Sequence, residues 1–176
     1  MSDNLAAYGM YPYLKRKEGE IVGAEVGVLD GKNAAVLFEK CGNIKQLYGI
    51  DPYITRKYLD KKITAKTMRD YESAAKENLQ SIGDKYKHVK LLPEEACKGF
   101  SHNFFDFIHL DYNHTYDEIK KDLETYYRLL KSGGFMFVHN YTVSPIIDAV
   151  THFRDENRIR QPIHLSKNMV VFWEKR

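Results

Sequence analysis

The sequence predicts an α/β fold in which a largely parallel sheet is covered by helices. Three observations support this prediction. Short apolar runs alternate with amphipathic helical patterns along most of the 176 residues. Polar or glycine-containing segments directly follow most of these apolar runs. Two further apolar runs lie close together near the end of the chain, which is typical of a hairpin. Strands that are separated by helices pair in parallel through right-handed crossovers.

Composition and charge are those of a single globular domain. Hydrophobic residues make up 43% of the chain and charged residues 29%, and the formal net charge is +3. Because that charge is small, we expect no nucleic-acid partner. We also expect no membrane partner, because no apolar run approaches the roughly 18 residues that are needed to span a bilayer.

The cysteines and the first residues indicate the compartment. Cys41 and Cys97 lack the spacing of a metal or redox pair and are interpreted as reduced thiols. The first residues contain no apolar stretch of the kind found in secretory signals. We therefore expect a cytoplasmic protein, with an aromatic N-terminal arm over residues 1–20 and the domain itself over residues 21–176.

The first predicted strand, residues 22–28, leads through a glycine-containing turn into a helix over 32–41. Glu25 lies near the end of the strand, and Gly27 and Gly31 lie in the turn. Glycines there let the backbone approach a ligand closely, and the start of the helix presents free N–H groups. An ordinary strand–helix turn is the alternative interpretation.

Asp51 follows the second predicted strand, residues 46–50, directly. It comes 24 residues after Gly27, near the spacing at which a nucleotide-binding βαβ unit places a carboxylate on ribose hydroxyls. A carboxylate can accept two hydrogen bonds from a vicinal diol, which is the chemistry that such a site needs. The alternative is an aspartate that opens a turn before Pro52.

The remaining elements follow from hydrophobic periodicity and from Gly, Pro and capping signals. In chain order they are a loop over 53–65, a helix over 66–82, a strand over 87–92, a helix over 94–100, a strand over 104–110, a helix over 116–131, a strand over 135–139, a helix over 144–157, and a final hairpin of strands over 162–166 and 169–173.

The fourth strand ends at Asp111, and His114 follows three residues later. A carboxylate and an imidazole at this position can bind a metal, or the imidazole can accept a proton. A turn-forming aspartate and a cap histidine are the alternatives. Thr115 and Glu118 match a capping box, which accounts for the start of the next helix without any function.

The polar residues after strands one, two, four and five should converge on one edge of the sheet, because parallel strands present their carboxyl ends there. The fifth strand contributes His139 and Asn140 to that edge. His109 lies within the fourth strand and is interpreted as a packed histidine.

Four motifs in order resemble the class I S-adenosylmethionine-dependent methyltransferases. They are EVGVLDG, YGIDP, FDFIHLDYNHTYDEIKKDL and LKSGGFMFVHNY. The resemblance covers roughly residues 20–176, and is greatest to the small group with Asp-x-x-His-x-Tyr after strand four. It implies a three-layer, Rossmann-like sandwich whose seven-stranded sheet is mostly parallel, with an antiparallel last strand that a hairpin inserts.

The resemblance also implies a role for individual residues. It places Glu25, Gly27 and Gly31 at the methionine part of the cofactor, Asp51 at the ribose hydroxyls, Glu94 and Glu95 near the adenine, and Asp111 beside the methyl-donor centre. Some relatives bind a divalent metal, for which Asp111 and Asn140 would be the ligand positions here. Relatives usually read His-Asp-Tyr where this chain reads His139-Asn140-Tyr141, and losing that carboxylate weakens a Mg²⁺ or Ca²⁺ site.

We therefore expect methyl transfer from S-adenosylmethionine to a hydroxyl of a small molecule such as a sugar, with His114 as base and Asp111 orienting the acceptor. A non-catalytic cofactor-binding or partner-binding domain is the alternative. The chain lacks the G-x-G-x-x-G of a nicotinamide dehydrogenase, and no N/D-P-P-Y/F motif of a nucleic-acid methyltransferase follows strand four. The acceptor pocket is either open or completed by the second subunit of a homodimer.

Overall fold

The computed structural model describes residues 5–58 and 61–176, and its side chains are described outside 56–58 and 61–62. Residues 1–4 of the expected arm and residues 59–60 of the expected loop lie outside this part. The helices are α1 Ala7–Leu14, α2 Lys32–Lys40, α3 Ala65–Leu79, α4 Pro93–Ala96, α5 Tyr116–Tyr127 and α6 Ser144–Glu156. The strands are β1 Ile21–Val26, β2 Ile44–Ile50, β3 Arg56–Tyr58, β4 Lys61–Ile63, β5 Tyr86–Val89, β6 Phe105–Leu110, β7 Leu130–Val138, β8 His164–Leu165 and β9 Val171–Glu174.

A seven-stranded sheet with the order β5-β2-β1-β6-β7-β9-β8 forms the centre of the domain. The strands from β5 to β7 pair in parallel, and β9 lies antiparallel between β7 and β8. This topology confirms the predicted mostly parallel sheet with an antiparallel last strand that a hairpin inserts.

Helices cover both faces of the sheet because successive strand side chains point to opposite sides. On one face, Phe107 and Phe137 pack with Leu37 of α2 in one core cluster. On the other face, Ile108 and Met136 belong to a second cluster, together with residues of α5 and α6. The two clusters give the expected three layers.

The N-terminal arm is part of this core. Ala7, Met10 and Leu14 of α1 are completely buried, and they belong to the same cluster as Leu37. The backbone N–H of Ala7 also donates to Oδ1 of Asn33 at 2.5 Å. Helix α1 therefore packs against the domain, and the division of the chain at residue 20 stays a prediction.

The structure corrects two predicted boundaries. The segment 53–65, predicted as a loop, contains the antiparallel pair of β3 and β4. The helix predicted over 116–131 ends at Tyr127, and the strand predicted over 135–139 begins at Leu130. Leu130 pairs with Phe105 before a register shift, so residues that resemble a helix end form the start of β7. None of the described helices has both the length and the apolar character that crossing a membrane requires.

The polar ends of strands β1, β2, β6 and β7 meet at one edge, as predicted. The backbone N–H of Gly27 donates to Ile50, and that of Asp111 donates to Val26. The N–H of His139 likewise donates to Leu110. Each strand end is therefore held to its neighbour by a backbone hydrogen bond just beyond the sheet, which positions the residues that follow.

Candidate functional site

The turn after β1 has an unusual backbone. Gly27, Leu29 and Gly31 all have positive φ angles, of 97°, 48° and 75°. A Cβ atom at Gly27 would lie 2.4 Å from the carbonyl oxygen of Asp111, so only glycine lets the turn pass this close to the end of β6. The turn thus brings the first predicted motif into contact with the fourth.

Asp51 holds this turn in place. Its Oδ2 accepts hydrogen bonds from the N–H groups of Val28 and Leu29 at 3.1 and 3.2 Å, and its Oδ1 accepts one from Tyr53 at 2.9 Å. The hydroxyl of Tyr53 donates to the carbonyl of Leu29 at 2.8 Å. Successive N–H groups in such a turn form a concave anion site, and here that site holds the protein's own carboxylate. Because Asp51 is 0% exposed, contact with a ribose requires the surrounding chain to open.

Glu25 points into the interior, where its side chain is 1% exposed. Its Oε1 accepts a hydrogen bond from Nδ2 of Asn33 at 2.5 Å, which connects it to the start of α2. The same oxygen lies 3.5 Å from Nδ1 of His109, because Glu25 and His109 are partners in the register of β1 and β6. Glu25 therefore lies beneath the turn rather than on its open side.

Asp111 is the centre of a polar cluster at the ends of β6 and β7. Its Oδ2 lies 2.9 Å from Nδ1 of His139, and its Oδ1 accepts a hydrogen bond from Nδ2 of Asn140 at 3.3 Å. Nε2 of His114 lies 3.6 Å from Oδ1. The structure therefore brings the candidate site residues Asp111, His114 and Asn140 together with His139, which the sequence placed at the same edge without a site role.

Electrostatics within this cluster favour an ionised carboxylate. Burial disfavours the charged form of Asp111, but hydrogen bonds from His114 and His139 outweigh that effect and hold its pKa well below the usual range. Burial likewise opposes the charge on His139, whereas the hydrogen bond to Asp111 and its negative charge raise the pKa of the imidazole. The carboxylate is consequently charged at neutral pH.

His114 is oriented by the amide of Asn140. Nδ2 of Asn140 lies 3.0 Å from Nε2 of His114, and the same NH₂ group donates to Asp111. Because an amide donates only through its NH₂ end, Nε2 of His114 can accept from Asn140 in the tautomer that carries the ring proton on Nδ1. Asn140 has a φ of 57°, a left-handed conformation that asparagine adopts more readily than most residues.

The loop that carries His114 is tied to α5 at two points. Nδ2 of Asn113 donates to Oδ2 of Asp122 at 2.8 Å. The N–H of Glu118 donates to the Thr115 hydroxyl at 3.4 Å, so Thr115 caps α5 as predicted. These contacts place the loop over the end of β6, with His114 almost completely buried.

Glu94 and Glu95 lie in the first turn of α4, after Pro93, and both are exposed. Oε1 of Glu94 lies 3.6 Å from Nζ of Lys121 on α5. The placement of both residues near an adenine stays a prediction.

Sequence reasoning assigned no site role to His109, which it interpreted as a packed histidine. His109 is 0% exposed, as expected of a packed residue, but it lies within a polar group that includes Asp111 and His139. The available signal was strand alternation, because His109 precedes the strand-end Asp111 by two residues and so shares its face.

Comparisons with known proteins identify a family and a fold. A family model described as "Methyltransferase domain" matches residues 24–141. The O-methyltransferase NovP is 15% identical, with 89% of this chain and 72% of that chain covered and a TM-score of 0.68. The methyltransferase PaMTH1 of Podospora anserina, solved with bound SAH, is 16% identical over 100% and 80% of the two chains, with a TM-score of 0.69.

A protein that is not named as a methyltransferase has a similar fold. Spermidine synthase from Thermotoga maritima is 12% identical over 97% of this chain and 59% of that chain, with a TM-score of 0.63. No curated protein matches the sequence. The structural likeness therefore shows the fold, and the family assignment rests on the match over residues 24–141.

Proposed function

This chain belongs to the methyltransferase family whose model it matches, and we propose that it methylates a hydroxyl oxygen of a small molecule. It is a class I methyltransferase, and the family implies S-adenosylmethionine as the methyl donor. The observation that carries the proposal of oxygen as acceptor is the cluster of Asp111, His114 and Asn140 beside the Gly27 turn. This cluster combines a charged carboxylate with an imidazole, a group that can accept a proton.

The proposed cofactor site follows the edge of the sheet. The turn from Gly27 to Gly31 would hold the methionine part, with Glu25 supporting it from below, and Asp111 would face the sulfonium. A carboxylate that is ionised at neutral pH favours a positively charged donor by Coulomb attraction. Asp51 is the proposed partner of the ribose hydroxyls once the chain around it opens.

The adenine would lie near the start of α4, beside Glu94 and Glu95. This placement rests on the family resemblance, and the exposure of both carboxylates leaves them free to approach a ligand from the surface.

Methyl transfer is an in-line displacement in which the C–S bond breaks as the C–O bond forms. The sulfonium leaves as a neutral thioether, so the enzyme mainly positions the reactants and removes one proton. The acceptor hydroxyl would displace the Asn140 amide from Nε2 of His114 and transfer its proton to that nitrogen. Asp111 would orient the hydroxyl through its Oδ1, which faces His114.

As oriented in this structure, the Asn140 amide directs its NH₂ group towards Oδ1 of Asp111. Mg²⁺ and Ca²⁺ take oxygen ligands, so this amide would have to turn over before Asn140 and Asp111 could bind either ion. We therefore assign no step of the reaction to such an ion.

Calorimetry and turnover measurements test the proposal. The protein should bind S-adenosylhomocysteine. In the presence of a suitable sugar or phenol, it should also convert S-adenosylmethionine to S-adenosylhomocysteine. His114→Gln should lower kcat by about 10²- to 10⁴-fold while leaving the affinity for S-adenosylhomocysteine nearly unchanged. His102→Gln, at an exposed position outside the cluster, is the matched control. Full activity of His114→Gln would exclude it as the base.

Asn140, which stands where relatives usually carry an aspartate, favours a second candidate, a domain that binds the cofactor or a partner without catalysis. Binding of S-adenosylhomocysteine without turnover on any hydroxyl compound would support it. Turnover that depends on His114 would exclude it.

A further inference from the structure

We propose that His109, Asp111 and His139 bind one divalent transition-metal ion of the Zn²⁺ type. Each of the three side chains offers a ligand atom, and these atoms all lie within 4.8 Å of one another. Two imidazoles and one carboxylate form a donor set that differs from the oxygen set of a Mg²⁺ site. The inference shares Asp111 with the proposed methyl-transfer site, but metal binding can be measured without donor or acceptor.

His109 is the residue that most needs an explanation. Its side chain is completely buried, and within the described residues neither of its ring nitrogens has a hydrogen-bond partner. The contact of 3.5 Å to Oε1 of Glu25 is longer than a normal hydrogen bond. Buried polar groups are almost always paired, so an unpaired imidazole inside the domain indicates that a ligand completes its environment.

Glu25 is well placed to orient that imidazole. Its Oε1 is held by Asn33, and its Oε2 is buried without a partner among the described residues. Histidines that bind a metal through one ring nitrogen usually donate the other N–H to a carboxylate or carbonyl. A small movement that brings Glu25 within hydrogen-bond distance of His109 would leave the opposite ring nitrogen to bind the ion.

The spacing of the cluster fits a tetrahedral ion after a modest contraction. Zn²⁺ binds histidine nitrogen and carboxylate oxygen at about 2.0–2.2 Å, which puts neighbouring donors roughly 3.3 Å apart. Oδ2 of Asp111 and Nδ1 of His139 are already 2.9 Å apart. The ligand atoms all lie within 4.8 Å of one another, so side-chain rotation would have to shorten the largest spacing by at most about 1.5 Å.

The donor types select the class of ion. Imidazole suits Zn²⁺, Fe²⁺, Co²⁺ and Ni²⁺, whereas Mg²⁺ and Ca²⁺ take oxygen ligands. The side chains lie on or directly after the adjacent strands β6 and β7, whose pairing holds them in a defined relation. The negative charge of Asp111 would offset part of the charge of the ion.

Metal titration of the full chain tests the proposal. Protein treated with a chelator should bind about one Co²⁺ or Zn²⁺ per chain, and the visible Co²⁺ spectrum should report nitrogen and oxygen ligands. His109→Gln and His139→Gln should each lower the affinity by at least about tenfold. His102→Gln should bind as the wild type does, because His102 is exposed and lies outside the ligand set.

Three outcomes would overturn the proposal: no stoichiometric binding by the wild type, unchanged binding by His109→Gln, or an equal loss in His102→Gln. Circular dichroism shows whether each variant folds. If His109→Gln does not fold, X-ray absorption of the wild-type Zn²⁺ complex decides, because two imidazole ligands support the site and fewer exclude it. Absence of metal binding by the wild type, together with intact S-adenosylhomocysteine binding, would reject this inference alone.

Discussion

Asp122 is a buried carboxyl group beneath the loop that carries His114, and Asp122→Asn should stabilise the protein above neutral pH. The side chain is 5% exposed and accepts a hydrogen bond from Asn113. Burial raises the pKa of Asp122 to about 7, although the hydrogen bond from Asn113 acts in the opposite direction. Asparagine removes the ionisation and keeps an oxygen that can accept from Asn113.

The sign of the effect follows from proton linkage. The pKa is raised from 3.8 to about 7, so the unfolded chain releases a proton at a lower pH than the folded chain does. The stability that the protonated group contributes is fully present below about pH 4 and is lost as the pH rises to about 7. Each pKa unit corresponds to about 1.4 kcal/mol, so the total loss is about 4 kcal/mol.

Urea unfolding at pH 4, 6, 7 and 8 measures this loss. The free energy of unfolding of Asp122→Asn should match that of the wild type at pH 4 and exceed it by about 4 kcal/mol at pH 8. Glu124→Gln, at an exposed position on the same helix, controls for a simple change of charge. If the difference in the free energy of unfolding between Asp122→Asn and the wild type stays constant from pH 4 to pH 8, the reasoning is refuted.

Two further substitutions test the turn after β1. Gly27→Ala should cost about 1–3 kcal/mol of stability and lower the affinity for S-adenosylhomocysteine, because φ is 97° and the new Cβ would meet the carbonyl of Asp111. Gly42→Ala, where a Cβ meets open space, is the control, and equal effects of the two would contradict this account. Asp51→Ala should cost at least about 3 kcal/mol in urea unfolding, because three backbone N–H groups lose their acceptor. An unchanged unfolding midpoint would show that the turn does not depend on Asp51.

The order of strands and helices could be predicted from hydrophobic periodicity. A half-buried strand has an apolar residue at every second position, whereas a helix has apolar residues three or four positions apart. The start of β7 could not be predicted in this way. Lys131, Ser132 and the two glycines after them have the composition of a turn, but in the folded chain they belong to strand β7. Nζ of Lys131 lies 2.9 Å from both carboxylate oxygens of Asp106 on β6. This contact depends on which strands are neighbours and not on local propensity.

The candidate site was predictable to the extent that its residues follow strand ends. Asp111, His114 and Asn140 were identified in this way, and the structure brings them together. Their roles in binding and catalysis stay predictions. His109 was recognised only as packed, because a histidine within a strand carries no local sign of what lies opposite it.

The sequence by itself determined the α/β class, the mostly parallel sheet with its terminal hairpin, and the methyltransferase family. These features depend on periodicity and on motifs that are contiguous in the chain. Only the tertiary structure decided that Asp51 holds the Gly27 turn and that Glu25 and His109 lie side by side. The physical reason is that strand register and the packing of α1 against α2 set which polar atoms meet, and such long-range pairings leave no trace in local sequence.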